Sequence, residues 1–239
     1  VLFFIYLFLI SIFEKISIFI SSLLHGTFIS AMARIHQFNL VPGEAQSVAT
    51  SSDGRIFMAS VKQLPKSLSD LSVRQPGGAE VVFPSSGIYQ RFGADISQVG
   101  VILIVNDGNP FVWADRSFNE TTNSTVVPIL SKTVSVIVSN GITGHELAVS
   151  NLSPNQPFEI VLPHQYIDTN NQSYYVSTVC RFWDVQSQQF STNGCVVGSI
   201  TPLATVCRCT HLTDFSVAME LKPRVTPIST QDFVNLTWE

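Results

Sequence analysis

Charged residues are scarce in this sequence, and the few present are scattered. Only 13% of the 239 residues are Asp, Glu, Lys or Arg, which is about half the usual share. The net charge is −4, and no run of Lys or Arg occurs anywhere in the chain. Binding to a phosphate backbone needs a basic surface, so nucleic acid is excluded as an expected partner.

Familiar catalytic motifs are missing as well. The sequence has no Gly-x-Ser-x-Gly, no His-Glu-x-x-His and no Gly-rich phosphate loop, which mark serine hydrolases, zinc proteases and nucleotide-binding proteins. It also lacks clustered acidic residues. A secreted hydrolase acting on other substrates is therefore disfavoured, and no small-molecule cofactor is implied.

Hydroxyl groups supply most of the polarity. The chain has 29 Ser and 17 Thr, with 12 Pro and 13 Gly between them, a composition typical of β-rich extracellular proteins and not of helical bundles or coiled coils. Short apolar runs between turn signals predict strands at 55–61, 80–83, 101–105, 133–138, 159–162 and 174–183. Their length and spacing predict a mainly β protein built as a β-sandwich with a small N-terminal helical part. Residues 117–131 are predicted to be an exposed loop.

The first 43 residues are read as a leader followed by a helix. Residues 1–15 are an apolar leader or an artefact of the gene model, because 13 uncharged apolar residues are too few for a membrane span of about 20. Residues 16–43 carry apolar side chains at helical i, i+3, i+4 spacing, and Pro42-Gly43 ends the pattern. The alternative is a signal region that ends at Ala31-Met32-Ala33.

Cysteines and glycosylation sequons indicate the compartment. All four cysteines lie in the last 60 residues. Asn-x-Ser/Thr sequons occur at Asn119, Asn123, Asn151, Asn171 and Asn235, where glycans are expected. An even cysteine count together with five sequons favours an oxidising, secretory environment, in which disulfides form.

The cysteine-containing region predicts stacked hairpins. A strand at Cys180, a turn at Asn193-Gly194 and a last strand with Cys207 and Cys209 follow one another. Residues two apart on a strand face the same side, so Cys207, Cys209 and His211 are expected to line one face.

Two bridges among Cys180, Cys195, Cys207 and Cys209 would pin this last strand, each worth about 2–4 kcal/mol. The sequence leaves three pairings open. The same thiols with His211 could instead bind zinc, but the Cys-x-Cys-x-His spacing is unusual for such a site and the sequons favour oxidation.

The motif in this region is specific. Cys-x-Phe-Trp is followed by Phe-Ser-Thr-Asn-Gly-Cys and then by Cys-x-Cys-x-His-Leu-Thr-x-Phe, all within 180–219. This order resembles the GPS motif that closes the GAIN domain of adhesion G-protein-coupled receptors and polycystin-type proteins. The aromatic anchors are Phe182, Trp183 and Phe190, and Phe190 stands where the motif usually has Trp. The stretch 109–113, Asn-Pro-Phe-Val-Trp, resembles an element of polycystin-type proteins and slightly favours that branch.

The resemblance implies a division of the chain and a cysteine pairing. Residues 16–43 would be part of GAIN subdomain A, 45–221 would be subdomain B, and 222–239 would lead toward a downstream membrane region. The implied bridges are Cys180–Cys207 and Cys195–Cys209.

The resemblance also implies self-cleavage between Leu212 and Thr213. A threonine hydroxyl is a weak nucleophile until a base takes its proton, and a neutral imidazole suits that task. His211 lies two residues before Thr213, so a sharp bend at Leu212 could bring the two side chains together for an N-to-O acyl shift. This would be a single turnover in cis and not conventional enzyme activity.

After cleavage, the strand that begins at Thr213 would stay in place as a tethered agonist, with Phe215, Val217 and Met219 facing one way. The expected partners are the chain's own C-terminal fragment, a downstream transmembrane region and an unknown extracellular ligand. The expected location is the extracellular face of the plasma membrane or cilium, reached by the secretory pathway. The alternative function is an uncleaved adhesion or spacer module.

Overall fold

The computed structural model of the chain describes residues 31, 35, 37–76, 78–86, 88–107, 125–127, 131–164, 166, 174–184, 187 and 189–223. Of 125–127, 174–177, 214 and 216–223 it describes the backbone alone. The predicted leader at 1–15 and most of the predicted helix at 16–43 lie outside the described residues, although positions 31, 35, 37 and 38 are helical. None of the helices in the described part of the chain has the length and apolar character needed to cross a bilayer.

The described residues are mainly β-strand, as predicted. The strands are β1 (Ser47–Thr50), β2 (Ile56–Gln63), β3 (Ser72–Arg74), β4 (Glu80–Val82), β5 (Val99–Asn106), β6 (Thr125–Val127), β7 (Thr133–Asn140), β8 (Phe158–Pro163), β9 (Tyr174–Asp184), β10 (Gln189–Ser191), β11 (Cys195–Ile200), β12 (Ala204–Cys209) and β13 (Asp214–Pro223). Two short 3-10 helices span Pro65–Leu68 and Tyr89–Arg91. Each of the six predicted strands overlaps an observed one.

These strands form two antiparallel sheets. The large sheet has the order β1-β2-β5-β7-β13-β9-β10, with β6 also paired to β13, and the small sheet has the order β11-β12-β8-β4-β3. One buried core lies between them, with Val101 and Phe215 from the large sheet and Ile160 and Cys207 from the small one. The β-sandwich prediction is therefore confirmed.

Strand β5 shows why the sequence folds this way. Val101 and Leu103 point into the core between the sheets, while Ile102 and Ile104 are buried in a second cluster on the other face. A strand buried on both faces needs apolar residues at every position, and the unbroken apolar run of β5 meets that need.

The N-terminal segment is joined to the large sheet by polar contacts. The side chain of Gln37 is buried, and its Oε1 accepts a hydrogen bond from the Ser139 hydroxyl of β7 over 2.6 Å. A Cβ on Gly100 of β5 would overlap the Gln37 side chain. Only a glycine therefore leaves space for this contact.

The predicted set of stacked hairpins is wrong in one respect. β9 and β10 form a hairpin in the large sheet, and β11 and β12 form another in the small sheet. The Asn193-Gly194 turn therefore connects the two sheets and does not join paired strands. Gly194 has φ = 77°, as such turn dipeptides allow, but a positive φ fixes only the local bend and not the strand that follows.

Other predicted features lie partly or wholly outside the described residues. In the predicted loop at 117–131, residues 125–127 form β6 and pair with β13. The stretch 109–113 and the sequons at Asn119, Asn123, Asn171 and Asn235 are not among the described residues. Asn151 is described and exposed.

Candidate functional site

Two chain crossings between the sheets lie side by side and form the candidate site. The outgoing crossing, residues 192–194, links β10 to β11, and the return crossing, residues 210–213, links β12 to β13. The Thr210 amide donates to the Gly194 carbonyl oxygen over 2.9 Å. The predicted catalytic residues His211, Leu212 and Thr213 all lie in the return crossing.

Close contact between the crossings depends on glycine at position 194. A Cβ at this position would lie 2.8 Å from Thr210 Oγ1, which is too close, and 3.1 Å from His211 Cδ2, which is a tight contact. The positive φ of Gly194 also disfavours any side chain. Gly194 thus brings the outgoing crossing against His211.

His211 lies just beyond the strand that carries the last two cysteines. β12 ends at Cys209, so His211 lies outside the regular strand on which it is predicted to share a face with Cys207 and Cys209. Cys207 and Cys209 are both fully buried, whereas His211 is half-buried.

The imidazole of His211 is oriented by a main-chain carbonyl. Its Nε2 lies 3.1 Å from the Asn193 carbonyl oxygen and 3.8 Å from Cys195 Sγ. A carbonyl oxygen can only accept, so Nε2 carries the proton in the neutral ring and Nδ1 keeps the lone pair. Phe182 meets the ring edge-on at 4.2 Å between centroids, and Phe215 stacks on it at 5.8 Å.

The electrostatic surroundings favour the neutral ring. Burial lowers the pKa of His211 below its usual 6.5, while the hydrogen bond to the Asn193 carbonyl acts in the opposite direction. Burial has the larger effect because a charged ring loses water that one carbonyl replaces only in part. At neutral pH the imidazole is therefore a free base with its lone pair on Nδ1.

Main-chain hydrogen bonds hold the return crossing on both sides of His211. The Thr210 carbonyl accepts from the Leu152 amide over 2.9 Å, and the Leu212 amide donates to the Val149 carbonyl over 3.0 Å. Further along, the Thr213 carbonyl accepts from the Val136 amide over 3.3 Å. The backbone around the predicted cleavage point is thus held by neighbouring segments.

The predicted nucleophile and base are close in sequence but not bonded to each other here. Leu212 and Thr213 are both half-buried, and Leu212 packs against the core. Among the described residues, no hydrogen bond links the Thr213 hydroxyl to the His211 imidazole. Proton transfer between them thus requires rotation of one side chain.

The four cysteines are joined as Cys180–Cys207 and Cys195–Cys209. This is the pairing that the resemblance implies. The first bridge connects β9 of the large sheet to β12 of the small sheet, and the second connects directly opposite residues of β11 and β12. The zinc alternative is not supported, because every thiol is in a bridge and the described residues contain no cluster of His, Cys, Asp or Glu arranged for a metal.

Comparison with known families agrees with this geometry. The family model GPS, described as GAIN subdomain B, matches residues 38–223. The match covers both sheets and both crossings. The chain belongs to the GPS family.

The GPS relatives found by sequence are adhesion receptors. Adhesion G-protein coupled receptor D1 of Bos taurus is 24% identical over 200 residues, which is 78% of this chain and 21% of the relative. Latrophilin Cirl of Drosophila mojavensis is 36% identical over 67 residues, or 28% of this chain and 4% of the relative. Adhesion G-protein coupled receptor G4 of Mus musculus is 30% identical over 122 residues, or 49% and 4%. The chain thus spans about a fifth or less of the length of these relatives.

The aromatic anchors of the GPS motif lie on opposite faces of the large sheet, Phe182 and Trp183 on β9 and Phe190 on β10. Phe182 packs against the core and contacts His211. Trp183 points the other way and meets Phe190 edge-on at 5.4 Å, and the Arg181 guanidinium lies 3.9 Å from the centre of the Phe190 ring. Only Phe182 therefore contributes directly to the candidate site.

Sequence reasoning missed the main-chain groups that hold the site. Asn193, Val149, Leu152 and Val136 all act through backbone N–H or C=O, which every residue type can supply. The one available signal is Asn193-Gly194, and as a sequence pattern it predicts a hairpin turn. The predicted strand residues Val217 and Met219 lie in β13, but their side chains are outside what the structure describes.

Proposed function

We propose that the chain is an extracellular juxtamembrane module that cuts its own backbone between Leu212 and Thr213. The observation that carries this proposal is the His211 imidazole, held neutral and with its lone pair on Nδ1, two residues before Thr213 in a segment outside any strand. A neutral imidazole beside a hydroxyl nucleophile is the usual arrangement for activating it.

The reaction follows from the atoms present. His211 Nδ1 takes the proton of the Thr213 hydroxyl as Oγ1 attacks the Leu212 carbonyl carbon. The C–N bond then breaks, the proton passes to the released Thr213 amine, and an ester joins Leu212 to Oγ1. Water hydrolyses this ester and leaves a Leu212 carboxylate, a free Thr213 hydroxyl and a new amino terminus.

The cut strand would remain bound without a covalent link. β13 lies inside the large sheet, where it pairs with β9 over nine residues and with β7 and β6 on its other edge. Phe215 is 1% exposed in the core. Because all four cysteines precede Leu212, neither disulfide joins the two fragments. A strand held in this way can be removed, as a tethered agonist requires.

Membrane attachment is inferred from the relatives. They are named as G-protein coupled receptors or latrophilins, so we place this module outside the cell, before a downstream membrane region. The expected partners are that region and an extracellular ligand that pulls on the N-terminal part. The relatives give no support to a ciliary location.

The test is secretion of the chain with a C-terminal tag and analysis on a denaturing gel. Two fragments split at Thr213, with an N-terminal threonine on the smaller one, are expected. Thr213→Ala should give one intact band and an unchanged melting temperature. An intact wild-type chain with both disulfides formed would refute cleavage and leave the uncleaved adhesion or spacer module as the function.

A further inference from the structure

A short segment outside the motif holds the backbone of His211. We infer that residues 149–152, here called the strap, position His211 for cleavage, and that Arg91 and Asn151 are positioning residues acting through the strap. This inference rests on the proposed cleavage. It adds a part of the molecule that lies about 60 residues before the cut and, for Arg91, about 120 residues before it.

The strap holds the peptide group on each side of His211. The Leu152 amide donates to the Thr210 carbonyl over 2.9 Å, and the Val149 carbonyl accepts from the Leu212 amide over 3.0 Å. These two bonds fix the peptide planes that set the φ and ψ of His211. The ring itself is fixed on its other side by the Asn193 carbonyl. Strap and turn together therefore determine where Nδ1 points.

The strap is in turn anchored at its ends and its middle. Val149 and Leu152 are buried in the core. Between them, the Asn151 carbonyl accepts a hydrogen bond of 2.8 Å from Arg91 Nη2. Arg91 ends the 3-10 helix Tyr89–Arg91, which follows the fully buried Ile88. A charged donor on an anchored helix thus holds the middle of the strap.

Asn151 gives the strap its bend. Its φ is 56°, a left-handed conformation that Asn and Gly adopt readily and β-branched residues do not. The side chain is exposed, so a glycan on this sequon would extend into water. The strap contributes only main-chain atoms to these hydrogen bonds. The backbone conformation of residue 151, and not its side-chain amide, therefore positions His211.

Two matched pairs of variants test the inference in the full, C-terminally tagged chain. Asn151→Val and Asn151→Gly both remove the sequon, but only glycine tolerates the left-handed bend. Arg91→Met removes the donor to the strap, and Arg91→Lys keeps one. Cleavage rates are measured by pulse-chase during secretion. In parallel, they are measured on the purified uncleaved fraction with hydroxylamine, which intercepts the ester.

We expect Asn151→Val to slow cleavage by roughly tenfold or more, since small displacements of a catalytic group have large effects on rate. Arg91→Met should slow it by about threefold, because Arg91 is exposed and its hydrogen bond competes with water. The matched variants Asn151→Gly and Arg91→Lys should cleave at close to the wild-type rate. The pH midpoint of cleavage should stay the same in all four variants, because His211 remains the base.

Several results would overturn the inference. Equal cleavage of Asn151→Val, Arg91→Met and a cleaving wild type would show that the strap does not position the base. A shifted pH midpoint would show that the strap changes the pKa of His211 and not the position of its ring. Slow cleavage accompanied by a lower melting temperature in the Thr213→Ala background would indicate general destabilisation. An intact wild type refutes the proposed cleavage itself, and the strap assignment with it.

Discussion

Replacement of Phe215 by alanine is the sharpest test of how the cut strand is held. Phe215 follows Thr213 by two residues, is 1% exposed and stacks on His211. Among the described side chains of the released fragment, it is the first that enters the core. If β13 stays bound through the buried Phe215 ring and the backbone pairing of the strand, removal of this ring should weaken retention without affecting the disulfides.

The magnitude follows from the burial. Phe-to-Ala substitutions in cores cost about 3–5 kcal/mol, and each 1.4 kcal/mol is about tenfold in an equilibrium constant. The dissociation constant of the cleaved C-terminal fragment should therefore rise by roughly a hundredfold to a few thousandfold. Phe215→Leu keeps most of the volume and should cost under about 1.5 kcal/mol, or about tenfold.

The assay follows release of the fragment from immobilised N-terminal part. Cleaved protein is bound through an N-terminal tag, washed, and sampled over time for the C-terminal tag, with each value divided by the fraction cleaved at the start. Phe215→Ala combined with Thr213→Ala keeps the chain continuous and reports whether the sandwich still folds. Equal release rates for wild type and Phe215→Ala, both fully cleaved and folded, would refute the idea that core burial of β13 retains the fragment.

Three further predictions concern the site. The cleavage rate of purified uncleaved chain should be constant above pH 7 and should fall on acidification, with a midpoint below pH 6.5. The reason is that only the unprotonated ring acts as a base and that burial lowers the pKa of His211. A rate that rises in acid would contradict this. Gly194→Ala should lower the stability of the fold by about 2 kcal/mol or more, because position 194 has a positive φ and a Cβ there would contact Thr210. The melting temperature should fall by roughly 4–8 °C, and the cleaved fraction should fall with it. Wild-type values for both quantities would disagree with the structure. On a denaturing gel without reductant the fragments should separate, since Cys180–Cys207 and Cys195–Cys209 lie before the cut; fragments that separate only after reduction would show different bridges.

The sequence predicted those parts of the fold that depend on side-chain pattern. Residues 101–105 of β5 are all apolar, which predicts a strand buried on both faces, and the structure has such a strand. Short strands such as β3 and β10, with three residues each, were missed, because three residues are too few to show a period. They form because tertiary pairing supplies a neighbour: β10 pairs with the long strand β9, and β3 pairs with β4, which is itself paired to β8.

The site was predictable in residue identity but not in arrangement. His211, Leu212 and Thr213 carry a recognisable order, and the structure places all three in one crossing. The carbonyl of Asn193 and the strap groups could not be predicted, since backbone donors and acceptors occur at every residue and only the fold brings them together. For the same reason, Asn193-Gly194 predicted a turn correctly and its partner strands wrongly.

The position of the proposed cut satisfies two requirements that few peptide bonds in this chain can meet. A cut between Cys180 and Cys209 would be spanned by at least one disulfide, which would keep the two fragments covalently joined. A cut after Asp214 would shorten β13, whose first two residues pair with β7, and would fall in a ladder that holds each peptide group in place. Only the return crossing, residues 210–213, lies between these limits. A cut there frees the whole of β13 from every disulfide while leaving its pairing intact, so that the fragment is held only by forces that a mechanical pull or a competing ligand can overcome.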